Sequence, residues 1–137
     1  MKKVLILNGV NLGKLGTREV DVYGNQTFEN YYQNLILMFP QLEIDFFQSN
    51  HVDCLVEKIL DSDIYDGIII NPGAFTHTSI VLADAIKSTS TPVVEVHISN
   101  LFGREQFRKN SMIAAACIGS ISGFGLKSYE LALYYFL

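Results

Sequence analysis

Gly67-Ile68-Ile69-Ile70 and Pro92-Val93-Val94-Glu95-Val96 are the two runs whose reading decides the fold. Each is a nearly unbroken series of β-branched residues. A strand with one solvated face alternates polar and apolar positions, whereas a strand of a parallel sheet, buried on both faces, does not. Between the two runs, behind Thr78, the residues Ile80, Ala83 and Ile86 recur at helical spacing. Strand, helix, strand is therefore the local unit. Working outward, further strand-like runs occupy Lys3–Leu7, Leu42–Phe47 and Ala116–Ile121. A helical face is formed by Phe28, Tyr31, Tyr32, Leu35 and Phe39, with Thr27 as N-cap and Pro40 as a stop. Val52, Leu55, Val56, Ile59 and Leu60 form another, and Tyr129, Ala132, Leu133 and Phe136 a last one. Residues around Arg104–Arg108 are expected to make a short extra helix.

Strands and helices in strict alternation predict an α/β fold of three layers, an open parallel sheet with helices on both faces. Five strands suit the flavodoxin-like order 2-1-3-4-5. Residues 1–137 are expected to be a single domain, since no linker, repeat or low-complexity stretch interrupts them. Ligands of such sheets bind outside the carboxyl ends of the strands, at the switch point between strands 1 and 3. The loops that begin at Asn8, Asn71 and His97 should therefore hold the chemistry.

Composition narrows the function. The chain has 137 residues, 10 Lys+Arg against 14 Asp+Glu, and a net charge of −4. An acidic chain with no basic stripe is a poor nucleic-acid binder, because phosphate neutralisation supplies most of that affinity. No apolar run approaches the roughly 20 residues that span a bilayer. The opening Met1-Lys2-Lys3 has only a short apolar run behind it, ended by Asn8 and Gly9, so it reads as a first strand and not as a leader. Two widely spaced Cys, Cys54 and Cys117, read as reduced thiols filling apolar positions of a cytoplasmic protein. Charged residues are only 18% of the chain, which points to surface covered by copies of itself.

The chain has three Arg and three His. All three Arg (Arg18, Arg104, Arg108) and two of the His (His77, His97) fall in or beside the three loops. The first loop, at about 9–24, is too long for a simple strand-to-helix connection, and its glycines suit a mobile lid. His97 alone reads as a structural imidazole. Glu95 changes that: residues i and i+2 of a strand share a face, so the carboxylate can hydrogen-bond the ring and fix its tautomer. A carboxylate inside a buried strand also needs such a partner. His77 reads equally well as a helix cap. Arg18 and Tyr23 taken alone read as solvated loop residues. Arg104 and Arg108 point one way on a helix, either as a solvated face paired with Glu105 or as an anion site. His51 follows strand 2, away from the switch point, and reads as surface or structural.

Competing motifs fail. Gly9 to Gly13-Lys14 is one residue short of a phosphate-binding loop and is followed by Leu15. No G-x-G-x-x-G follows strand 1, and Ile121 occupies the middle of what would be a nucleophile elbow around Ser120 and Ser122. His51 and Cys54 are half a metal site with no second half. A flavodoxin-like module binding flavin or an anionic metabolite would use Arg104 and Arg108 but needs no Glu95–His97 pair. A Schiff-base enzyme would have only Lys14 in the three loops.

Asn8-Gly9-x-Asn11-Leu12-Gly13-x-Leu15-Gly16-Thr17-Arg18-Glu19 with Tyr23-Gly24, then Phe47-Gln48-Ser49-Asn50, Asn71-Pro72-Gly73-Ala74-Phe75-Thr76-His77-Thr78-Ser79, Glu95-Val96-His97-Ile98-Ser99-Asn100 through Arg104 and Arg108, and Gly123-Phe124-Gly125 resemble type II 3-dehydroquinate dehydratases over essentially the whole chain. The resemblance implies a cofactor-free, metal-free lyase of the shikimate pathway or of quinate breakdown, assembled as a homo-dodecamer of four trimers. It implies an anti elimination of water from 3-dehydroquinate through an enolate. By that resemblance Tyr23 is the base, Arg18 and Arg104 favour its phenolate, and His97, oriented by Glu95, is the general acid. Asn11 holds a water against the enolate oxygen. Ile98 and Ser99 cradle the substrate carboxylate. Asn71, Gly73, His77 and Arg108 meet the ring and its hydroxyls, and Asp84 reaches in from a trimer neighbour. The chain departs from the family pattern at Val10, Cys54, Phe102-Gly103 and Met112, none of them a position implied to act in catalysis.

Overall fold

A computed structural model of the chain describes residues 1–9, 27–103 and 110–137. Strand β1 (Lys2–Asn8) shows why the sheet has helices on both faces. Val4 and Ile6 sit in one apolar cluster, Leu5 and Leu7 in the other, and all four are buried. Each fully buried side chain of this kind is worth about 1.5–3 kcal/mol relative to an exposed one. A strand apolar on both sides is thus stable only between two helical layers.

The remaining elements in chain order are α1 (Phe28–Met38), β2 (Leu42–Gln48), α2 (Val52–Leu60), β3 (Gly67–Asn71), α3 (Ile80–Ser88), β4 (Val93–His97), β5 (Gly119–Ser122) and α4 (Lys127–Phe136). All strand pairs are parallel and the order is β2-β1-β3-β4-β5. Helices α1 and α4 cover one face, through Phe28, Tyr31, Leu35, Tyr129, Leu133 and Phe136. Helices α2 and α3 cover the other, through Leu55, Ile59, Leu82 and Ile86. The flavodoxin-like order expected of five strands is the observed one. Strands β1, β3 and β4 end at Asn8, Asn71 and His97, the three residues from which the functional loops were expected to start.

Local signals mostly hold. Thr27 caps α1, its hydroxyl accepting the Asn30 N–H at 3.3 Å. Of the hydroxyls of Thr76, Thr78 and Ser79 that precede α3, that of Ser79 is the cap, its Oγ accepting the Leu82 N–H at 3.0 Å. Thr78 is taken by the preceding turn, where its N–H reaches the Phe75 carbonyl. Strand β5 begins at Gly119 and not at Ala116, because Ala114–Ala116 form a turn of 3-10 helix. The Ser111 hydroxyl starts that turn by accepting from the N–H groups of Ile113 and Ala114. Alanine has little preference for strand, so nothing resists the turn.

Candidate active site

The end of β4 carries a buried acid–base pair. Val93, Glu95 and His97 share the face of β4 that looks toward α2 and α3, while Val94 and Val96 fill the opposite cluster. Glu95 is completely buried and His97 nearly so. Glu95 Oε2 accepts from His97 Nε2 at 2.6 Å and from Ser111 Oγ at 2.6 Å; its Oε1 accepts from Ser120 Oγ at 2.5 Å. Ser120 stands opposite Glu95 in the β4–β5 register, so the ladder itself delivers that hydroxyl. Burial pushes the Glu95 carboxyl up, but the three donors and the charge of His97 outweigh it and hold the group below its ordinary value. A charged carboxylate only accepts, so Nε2 of His97 carries the hydrogen of that bond and Nδ1 is the nitrogen left for chemistry.

This pair makes stability depend on pH. A carboxyl whose folded pKa lies below its unfolded one contributes stability in full above the ordinary value of 4.5 and loses it as pH falls through the lowered folded value. Urea midpoints measured from pH 7 downward should fall more steeply below that value in the wild type than in Glu95→Gln. Parallel slopes would show that Glu95 is not charged in the folded protein.

Cys117 lies beside this carboxylate. Burial, with the Glu95 charge adding to it, pushes its thiol up to about 12, so it stays protonated and is no nucleophile. Cys54 is half-buried on α2, and both thiols are free.

A second polar group occupies the ends of β1 and β3. Asn8 and Asn71 are paired in register and face the α1/α4 layer. Tyr129 of α4 bridges them: its hydroxyl donates to Asn8 Oδ1 at 2.8 Å and accepts from Asn71 Nδ2 at 2.9 Å. The Gly73 N–H donates to Asn71 Oδ1 at 3.3 Å. Asn8 Nδ2 is buried and has no partner among the described residues; a donor left so costs about 1–3 kcal/mol. The backbone is tight here as well. Gly9 N–H donates to the Asn71 carbonyl at 2.7 Å, and a Cβ on Gly9 would lie 2.2 Å from the Pro72 oxygen. Only glycine fits that approach.

Residues 97–99 are held from the other side by the turn after β5. Gly123 N–H donates to the His97 carbonyl and Gly125 N–H to the Ile98 carbonyl. Gly123 has φ +98°, and a Cβ there would press on Asn100 at 3.2 Å. The Ile98 side chain is buried in the α1/α4 layer and Ser99 is half-buried. His77 bonds through Nδ1 to the Asn110 carbonyl at 2.7 Å, and Met112 N–H donates to the Thr76 carbonyl at 2.6 Å. His77 is thus joined to the chain after residue 109 and does not cap α3. Asp84 is exposed on α3, one turn from exposed Ile80. His51 is exposed at the start of α2, as a surface residue should be.

The structure therefore joins Glu95 to His97, and Asn71 to Gly73. Asn11, Arg18, Tyr23, Arg104 and Arg108 lie outside the described residues, as do the loop expected at about 9–24 beyond Gly9 and the short helix expected near Arg104–Arg108. Ser111, Ser120, Asn8 and Tyr129 are additional members, to which the sequence alone assigns no side-chain role. Ser120 carried a usable signal, its place in a strand next to the one holding Glu95. Tyr129 carried none, because an aromatic on an apolar helix face reads as core. Among the described residues no cluster of His, Cys, Asp and Glu could hold a metal ion, and no helix is long and apolar enough to cross a membrane.

An open parallel sheet with a carboxylate-oriented imidazole at its carboxyl edge is the frame of an acid–base enzyme. The class II dehydroquinase family model matches residues 2–137, and the chain belongs to that family. It is 51% identical to a 3-dehydroquinate dehydratase of Caldicellulosiruptor saccharolyticus, over 98% of this chain and 95% of that one. With a 3-dehydroquinate dehydratase of Bacillus cytotoxicus the identity is 52%, over 98% and 94%. The crystal structure of a type II dehydroquinase from Propionibacterium acnes superposes with a TM-score of 0.95 at 38% identity, covering 99% of this chain and 96% of that one. One from Butyrivibrio crossotus gives 0.92 at 42%, over 98% and 96%.

Proposed function

We propose that the chain is a type II 3-dehydroquinate dehydratase, a hydro-lyase that removes water from 3-dehydroquinate by anti elimination through an enolate to give 3-dehydroshikimate. The observation that carries this reading is the buried Glu95–His97 pair at the end of β4, in a chain about half identical to dehydratases along its whole length. Tyr23 removes the C2 proton as phenolate. Arg18 and Arg104 stabilise that anion. Of the tyrosines in the described segments, burial pushes Tyr31, Tyr32, Tyr65 and Tyr129 upward, which keeps those phenols protonated and unfit as bases. A water on Asn11 supports the enolate oxygen, an oxyanion-hole role. His97 Nδ1–H protonates the departing C1 hydroxyl while Glu95 stabilises the imidazolium. Backbone N–H groups at Ile98 and Ser99, with the Ser99 hydroxyl, hold the carboxylate. Asn71, Gly73, His77 and Arg108 meet the ring and its hydroxyls.

This scheme uses side chains, backbone N–H groups and one water, and no cofactor. It places the enzyme in shikimate synthesis or quinate breakdown. The free thiols fit a cytoplasmic location. Exposed Ile80, Val81, Phe124, Tyr134 and Tyr135 fit burial between subunits, and the reading takes the assembly as a dodecamer of four trimers. Asp84, on the helix that bears Ile80 and Val81, acts in a neighbour's site.

An enolate route and a lysine imine route are separated by borohydride. Treatment with 3-dehydroquinate and borohydride together should leave the protein mass and its activity unchanged. A reduced substrate adduct on a lysine would replace the enolate mechanism by Schiff-base chemistry.

A further inference from the structure

Asn8, Asn71 and Tyr129 form a polar island under an otherwise apolar layer, and one of its donors has no partner among the described residues. Aliphatic side chains would fill the same space without that cost, so packing alone does not explain the three residues. The direction of every bond follows from one fixed donor. The Gly73 N–H belongs to the backbone and cannot turn away, so Asn71 presents Oδ1 to it. Its Nδ2 then faces Tyr129, whose oxygen accepts, and the phenol hydrogen passes on to Asn8 Oδ1. The final donor, Asn8 Nδ2, is left over as a consequence of that ordering. Without the Tyr129 oxygen the Asn71 carboxamide keeps, among the described residues, the 3.3 Å bond to Gly73 alone, and its terminal torsion is intrinsically soft.

We propose that Tyr129 is a positioning residue for substrate binding: its hydroxyl locks the Asn71 carboxamide so that the second Nδ2 hydrogen is offered to a ring hydroxyl, and Asn8 sets the direction of the Tyr129 O–H. The proposal rests on the reading that Asn71 meets the substrate ring. Because burial pushes the Tyr129 phenol up, the hydroxyl keeps its proton across the working pH range.

The test is steady-state dehydration of 3-dehydroquinate by Tyr129→Phe, Asn71→Ala and the double variant, with thermal midpoints recorded for each. An orienting contact equally present in ground and transition states appears in KM. Tyr129→Phe should raise KM about tenfold, the size of one lost hydrogen bond, with kcat within about twofold. In the Asn71→Ala background the same change should leave KM where it was. Asn8→Ala should raise KM in the same direction and also lose its effect in that background, which keeps the test open if Tyr129→Phe folds poorly. An unchanged KM in Tyr129→Phe, with or without a lower thermal midpoint, overturns the proposal. So does an equal rise in both backgrounds. Asn71→Ala with wild-type KM is a separate result: it removes Asn71 from the binding set, and the positioning role with it.

Discussion

Tyr23→Phe is expected to lower kcat for 3-dehydroquinate by about 10²–10⁴-fold, the range supplied by a positioned proton-transfer group, while the thermal midpoint stays at the wild-type value. An unperturbed tyrosine has a pKa near 10, so about 0.1% is phenolate at pH 7. The proposed pairing with Arg18 and Arg104 favours the charged form, and each unit of depression is worth about 1.4 kcal/mol. Phenylalanine keeps the ring and removes the oxygen proposed to take the C2 proton. Folding should be unaffected, because the substitution removes one oxygen and keeps the aromatic ring and its volume. Full activity in the variant would remove Tyr23 from the role of base.

The second large effect falls on the acid. His97→Ala should also lower kcat by about 10²–10⁴-fold, but it should divide the reaction, where Tyr23→Phe slows it from the first step. Without an acid the C1 hydroxyl cannot leave, yet the base still forms the enolate and returns a proton to C2. In D2O, His97→Ala should therefore wash deuterium into unreacted substrate while making little product, and Tyr23→Phe should do neither. Loss of both exchange and elimination in His97→Ala would mean that His97 acts before the enolate forms. The variant also strips Glu95 of one of its three donors, while Ser111 and Ser120 still hold the carboxylate.

Much of this was legible in the residues themselves. The unalternating runs at Gly67–Ile70 and Val93–Val96 required two covered faces, and the two apolar clusters supply them. The Glu95–His97 pair followed from a period of two along a strand, and the structure puts the two side chains 2.6 Å apart. Caps and boundaries were harder, because Thr78 and Ser79 have similar capping chemistry and only the preceding turn decides between them. Ser120 and Tyr129 were out of reach for a different reason. Their contacts span 25 and 58 residues of chain, and such pairings depend on sheet register and helix docking. The low overall charge pointed to surface covered by further copies of the chain, and the proposed assembly puts that cover over the exposed apolar residues of α3 and α4.

The purified chain is to be resolved by size exclusion, and each fraction given 3-dehydroquinate while enone absorbance is followed. Enone should form in a peak of twelve-chain mass, and at least about a hundredfold more slowly in the same peak from Tyr23→Phe. A well-folded wild-type peak that forms no enone would contradict the dehydratase reading.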